Sequence, residues 1–142
     1  MKNIFSFPLI LIGISMIILG ILWMIVDEPW MLDKVANEER LGINFKELFK
    51  IDTNSSLPQY LKQIYRFFGL WVLIIGLFTT TLSSAIISKD SKIRIILLLC
   101  IGLMSYCGII FAYIWIPSSP FVYLGWIMII LHAISFYAHK KL

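Results

Sequence analysis

The chain alternates between long apolar runs and short polar breaks. Residues 4–26, 67–87 and 95–116 carry no charged side chain, and residues 121–138 hold one titratable imidazole, His132. A helix rises about 1.5 Å per residue, so roughly 20 residues cross a hydrocarbon core of about 30 Å. The four runs therefore predict four transmembrane spans. They must be helical, because lipid offers no partner to open backbone groups. The first run is longer than the roughly 7–15 apolar residues of a signal peptide, and no small-x-small cleavage site follows it. It is expected to be a retained span.

The links between spans are unequal. Residues 88–94 and Pro117-Ser-Ser-Pro120 are short, which forces antiparallel neighbours. The predicted fold is thus an all-α membrane protein, an antiparallel four-helix transmembrane bundle forming one membrane domain over residues 1–142. The long segment 27–66 differs from a plain linker. Asp27-Glu-Pro29 reads as a helix start and Gly42 as a stop. Asn44-Phe-Lys-Glu47 and Ser56-Leu-Pro-Gln59 have capping-box spacing. Trp30, Met31, Val35, Phe45, Leu48 and Phe49 alternate with charges. That pattern predicts short amphipathic helices on the outer membrane surface or capping the bundle.

Within the spans the small residues are periodic. Span one carries Ser6, Gly13 and Gly20; span two carries Gly69, Gly76 and Ser83. Spacing by seven keeps each set on one face, as in a left-handed helix pair. Lipid tails are as apolar as leucine, so spans associate where small residues let backbones approach. Antiparallel packing predicts Gly20 near Gly69 and Gly13 near Gly76. The same stripes run from Ser6 to Asp27 in span one and from Arg66 to Ser83 in span two. An outer-interface ion pair of Arg66 with Asp27, or with Glu28, is expected at their meeting point; Arg66 is also placed to reach an anionic lipid headgroup.

Composition and charge agree with a bilayer setting. Apolar residues make up 60% of the 142 residues and charged residues 14%, against about 45–50% and 25% in soluble domains. The net charge of +4 does not point to nucleic acid, because the basic residues sit in short clusters beside the spans. Lys2, Lys89/Lys92/Arg94 and Lys140/Lys141 are opposed only by Asp90, whereas residues 27–66 mix six basic with seven acidic side chains. The positive-inside rule then places both termini in the cytoplasm and residues 27–66 outside a cell membrane, crossed as a multi-pass protein.

Arg66-Phe-Phe-Gly69 followed by Gly76-Leu-Phe78, after a glycine-bearing first span that ends near Pro29, resembles small bacterial DoxX-like four-helix membrane proteins. The likeness covers spans one and two, about half the chain. It implies a compact four-helix bundle and, for some relatives, a link to respiratory or thiol-redox systems. No Cys-x-x-Cys occurs in this chain.

Chemistry is sparse. No Asp or Glu falls inside a span, and proton- or cation-coupled carriers usually need one there. No metal-ligand spacing, phosphate loop or nucleophile elbow occurs, so no metal and no cofactor are expected. The candidate polar intramembrane site comprises His132, Thr80, Tyr106, Tyr113 and Ser105. His132 is read as a neutral imidazole bonded to the Thr79–Thr81 region, with a ligand- or proton-handling role as the alternative. Cys100 and Cys107 are read as small packing residues.

These features describe a small membrane accessory or binding protein, whose partners are the bilayer and either an apolar small molecule or another membrane protein. The alternatives are an enzyme acting on a lipid or quinone, which a cleft lined by His132 and the tyrosines would favour, and an oligomeric transporter subunit. The orientation is directly testable. A membrane-impermeant thiol reagent applied from outside should label Ser55→Cys and spare Ser91→Cys; the reverse pattern refutes the topology.

Overall fold

The computed structural model describes residues 2–84 and 86–142. Lys2, one of the basic topology residues, has no described side chain, and Ala85, near the expected end of span two, lies outside the described residues. Four helices are long and apolar enough to cross a membrane: α1 (Lys2–Ile25), α4 (Leu57–Leu82), α5 (Ser91–Trp115) and α6 (Phe121–Lys140). Between α1 and α4 the chain forms a 3-10 turn (Pro29–Asp33) and two short helices, α2 (Lys34–Leu41) and α3 (Phe45–Leu48). No strand occurs among the described residues.

Local signals set most of the boundaries. Gly42, at φ 67°, ends α2, and its N–H donates to Glu38 O. Glycine suits that left-handed position because it has no Cβ. The Asn44 side chain accepts from Glu47 N at 2.9 Å and starts α3. Asp90 does the same for α5, accepting from Lys92 N at 2.8 Å. Two expectations need correction. Ser56 makes no capping bond; α4 instead begins with Pro58 in its first turn. The second long helix also runs from Leu57 to Leu82, not from residue 67 to 87. Lys62 and Arg66 bound the apolar run but do not break the helix, since long charged side chains are accommodated on an exposed face.

The seam between α1 and α4 is the tightest in the molecule. Ser6, Leu9, Gly13, Met16, Gly20 and Trp23 form one buried stripe on α1, and Gly69 and Gly76 are buried on α4. A Cβ added at Gly76 would lie 2.8 Å from Gly13 O and 2.8 Å from Ile17 N. One added at Gly69 would lie 2.7 Å from Gly20 O. Backbone meets backbone at both levels, with late residues of α1 against early residues of α4. On its other flank α1 packs on α6, and α6 packs on α5, while α4 and α5 scarcely meet.

The long helices consequently pack into a continuous core at one end only. Near the 83–90 connection, Phe5, Leu9, Ile12, Leu97, Leu98, Ile101 and Ala138 form a continuous apolar core. Ser6 Oγ and Ser88 Oγ lie 3.0 Å apart there, and Ser135 Oγ donates to Phe5 O at 2.9 Å. At the opposite end the segment between α1 and α4 folds over as a cap. Trp30, Phe45 and Phe49 hold it together, with ring centroids 5.5–6.1 Å apart. Ser118, in the α5–α6 turn, donates to Glu39 Oε2 and ties the cap across the bundle.

The seam makes a paired prediction. Gly76→Ala should cost about 1–3 kcal/mol by overpacking. Gly108→Ala, where no heavy atom lies within 4 Å of the new Cβ, should gain about 0.5–1 kcal/mol from the better helix propensity of alanine. Unfolding of both variants in mild detergent gives the comparison, and equal stabilities would dismiss the seam.

Candidate functional site

Because α4 is drawn onto α1 and away from α5, a cleft of about 500 Å³ opens toward the cap end. Met16, Leu19 and Trp23 of α1 form its floor, with Val72 of α4, Met104 and Ile109 of α5, and Leu124 and Met128 of α6 as walls. Phe68 on α4 and Phe111 and Trp115 on α5 also line it and are about half exposed, at 49%, 47% and 52%. They flank a mouth between α4 and α5. Gly108 faces this open space with no neighbour to its missing side chain.

The cap closes the end of the cleft with polar groups. Asp33 is at the junction of the 3-10 turn and α2, Asn37 is one turn further along α2, and Tyr65 is on α4; all three line the cleft. Asn37 Nδ2 donates to Trp30 O and to Tyr65 Oη, at 3.0 Å each. Its two donors are therefore engaged within the protein. Asp33 is buried at 8% exposure, and its Oδ1 has no hydrogen-bond partner among the described residues. Burial pushes its carboxyl above the usual carboxylate range, and the hydroxyl of Ser119 pulls it partly back. Trp23 Nε1 and Ser105 Oγ, which also belong to cleft residues, are buried and unpartnered too. Such atoms normally find partners, so a cluster of them around one cavity calls for an explanation.

The five residues expected to form one polar site do not meet. Ser105 alone lines the cleft. Thr80 lies in the α1–α4 seam against Gly13, its hydroxyl buried and unpartnered. Tyr113 accepts from Trp126 Nε1 at 3.2 Å on an exposed surface. His132 and Tyr106 pair elsewhere, beside a second groove between α5 and α6. The expected bond from His132 to the Thr79–Thr81 region is corrected. Its Nε2 lies 2.9 Å from Leu98 O, and its Nδ1 is 3.4 Å from the Tyr106 hydroxyl. A carbonyl only accepts, so Nε2 carries the proton and Nδ1 accepts from Tyr106. Gly102 makes room for this, since a Cβ there would lie 3.0 Å from the ring. The geometry is that of a satisfied histidine on α6 packed against α5, the neighbour that α6 actually has.

The expected ion pair is also corrected. Lys62 Nζ donates to Asp27 Oδ1 at 3.0 Å, one turn before Arg66 on α4. Neither Asp27 nor Glu28 forms an ion pair with Arg66, which is exposed and acts on Asp27 only through its charge. The chain leaves α1 before residue 27, so the carboxylate reaches beyond the helix end to the lysine lying further out. The hydrogen bond and charge of Lys62 hold the Asp27 carboxyl below its usual value.

Sequence reasoning missed Asp33, Asn37, Tyr65 and Trp23 as neighbours. The four-residue spacing of Asp33 and Asn37, one helical turn beside Trp30, was the available signal. Nothing in the sequence pattern marks Arg94 as buried. Arg94 is buried, and donates through Nη1 to Ser88 O and Lys89 O at 3.0 and 2.9 Å and through Nε to His139 Nδ1 at 3.2 Å. It closes the α4–α5 connection with bonds made inside the chain. No group of His, Cys, Asp and Glu among the described residues could hold a metal ion.

Comparison with family models, curated proteins and solved structures finds no match to this chain. The chemistry of the cleft is therefore argued from its own residues. It has no nucleophile paired with a base; it offers an apolar body and a polar tip.

The state of Asp33 has a measurable consequence. A carboxyl raised in the folded chain gives stability that is fully present below its unfolded value, near 3.8, and is lost as pH rises through the higher folded value. Asp27 is shifted the opposite way, so the difference between parent and variant isolates Asp33. Asp33→Asn should melt higher than the parent at pH 7, with the gap closing as pH is lowered toward 4. A variant that melts lower at pH 7 would show that the carboxylate is held by the fold.

Proposed function

We propose that the chain is an antiparallel four-span bundle of a cell membrane, with cytoplasmic termini and residues 27–66 outside, that binds an apolar molecule in the cleft between α4 and α5. The cleft carries this reading. Its volume of about 500 Å³ falls in the 300–1,000 Å³ range of small-molecule sites, which are mostly apolar with a few placed polar groups. Its mouth lies between two helices whose remaining outer surfaces are apolar, including Phe67, Leu77 and Phe78 on α4 and Ile110 and Ile114 on α5. A lipid-soluble molecule entering sideways would exchange one apolar environment for another. Its affinity would then come from packing and from the polar tip rather than from a hydrophobic gradient.

The enzyme reading loses its motive, because His132 is engaged with Leu98 and Tyr106 and lies away from the cleft. A transporter needs a continuous polar path, and the apolar core at the Lys89 end supports a closed one instead. Native mass spectrometry of protein released from mild detergent should find an apolar small molecule bound to the parent chain. Gly108→Leu, which projects a side chain into the open cleft, should lose that mass while keeping its helical content and melting temperature. An empty parent chain, or equal occupancy in the variant, would count against the site.

A further inference from the structure

The cleft's polar end contains one charge and no counter-charge. Among the described residues the ion pairs are Lys34–Glu38 and Lys62–Asp27. Neither involves Asp33, although Lys34 is its neighbour in sequence. Asp33 is more than nine-tenths buried and is one of the residues that line the cavity, and its Oδ1 has no hydrogen-bond partner among the described residues. The rings that line the same end are aromatic: Trp23, Tyr65, Phe68, Trp115 and Phe121. Trp23 stands at the centre of this set, with centroids 4.9 Å from Phe68 and 5.1 Å from Phe121.

Aromatic faces beside a carboxylate form the environment that favours an organic cation. Ring quadrupoles attract a cation within about 6 Å, and the attraction grows when water is excluded. A buried carboxylate without a partner is unfavourable until a donor or a positive charge reaches it. An anionic head would meet repulsion from Asp33. A neutral hydroxyl would satisfy Oδ1 but leave its charge uncompensated. Resting on the cleft reading above, we infer that the occupant is an amphiphile with a primary ammonium head, seated with its N–H groups at Asp33 Oδ1 between the aromatic rings and its aliphatic chain along Val72, Met104 and Met128 toward the mouth. Two sources share this chemistry, a free long-chain amine and the ethanolamine head of a phospholipid.

The contrast with the other buried ion strengthens the assignment. Arg94 has carbonyl oxygens and His139 for partners. Asp33 has no ion pair, and its Oδ1 has no hydrogen-bond partner among the described residues. The chain completes one buried charge by itself and leaves the other open where the cavity begins.

The test uses the full chain in dodecyl maltoside, with dodecylamine and dodecanol offered at equal concentration and bound masses counted by native mass spectrometry. The parent should carry at least ten times more amine than alcohol. Asp33→Asn should bring that ratio to within twofold while alcohol binding persists. Both amphiphiles partition into micelles, so the change between parent and variant is the decisive reading. Equal binding of the two in the parent, or a preference that survives in Asp33→Asn, overturns the ammonium inference and leaves the cleft reading standing. Binding of neither overturns both. Gly108→Leu should block amine and alcohol alike, and an unchanged amine preference there would place the amine outside the cleft. Repeating the parent measurement with phosphatidylethanolamine added separates the sources. Displacement of dodecylamine assigns the site to the lipid head, and undiminished amine binding assigns it to a free amine.

Discussion

Backbone contact between α1 and α4 is the constraint from which the rest of the molecule follows. Gly13 faces Gly76 and Gly20 faces Gly69, so carbonyl oxygens of one helix occupy the space where side chains of the other would be. Helices brought this close leave no room for a third between them. α4 is thereby committed to α1, and α5 finds its partner in α6. No comparable stripe joins α4 to α5: Gly108 touches nothing, and Phe68, Phe111 and Trp115 stand where a seam would have to be. The cleft is the geometric remainder of a bundle that places its small residues on one helix pair.

The two ends of the bundle differ in how far their buried polar groups are paired. Around the 83–90 connection, Ser6, Ser88, Ser135 and Arg94 bond to each other's elements or to backbone carbonyls, and Ser83 is left with a buried, unpartnered hydroxyl. At the cap end, Asn37 is satisfied, yet Asp33, Trp23 and Ser105, all residues that line one cavity, each hold a buried side-chain atom without a partner. A fold selected for stability alone would have an apolar residue at position 33, or a lysine near it. Unsatisfied buried groups carry a cost of about 1–3 kcal/mol each, and sites that recognise ligands are where such costs are tolerated.

Much of the architecture was legible in the sequence because it depends on periodicity and length. The four apolar runs lie within the four long helices except at their ends, and the α1 stripe from Ser6 to Trp23 is buried residue by residue. Gly42 and Asn44 mark the ends of α2 and α3, because turn geometry is local. The site was not legible. No carboxylate falls inside an apolar run, and the buried one belongs to a connecting segment that folds back over the helix ends. His132 was matched to threonines at equal depth, but depth does not say which helices are neighbours. That choice was made by glycines elsewhere on α1 and α4. Arg66 and Asp27 failed to pair for a related reason: helical stripes fix a face, while the exact helix end decides which of Lys62 and Arg66 a terminal carboxylate meets.

The cap completes this logic, because it brings a carboxyl to the cavity without placing one in the apolar runs of the long helices. An acid in the middle of an isolated transmembrane helix costs about 2.5–3.5 kcal/mol at insertion. Asp33 is carried instead on the turn before α2 and shares its cavity with aromatic residues of the long helices. The segment is anchored from three sides, by Lys62 to Asp27, by Asn37 to Tyr65 and by Ser118 to Glu39. Two of those ties are exposed at the surface and so are individually weak, because water screens them. Asn37 is the exception, because it joins the cap to α4 at the cavity wall itself. A cap tied to α4 at the cavity wall and only loosely at its rim keeps Asp33 among the residues that line the cavity, while α4 and α5 scarcely meet beside it.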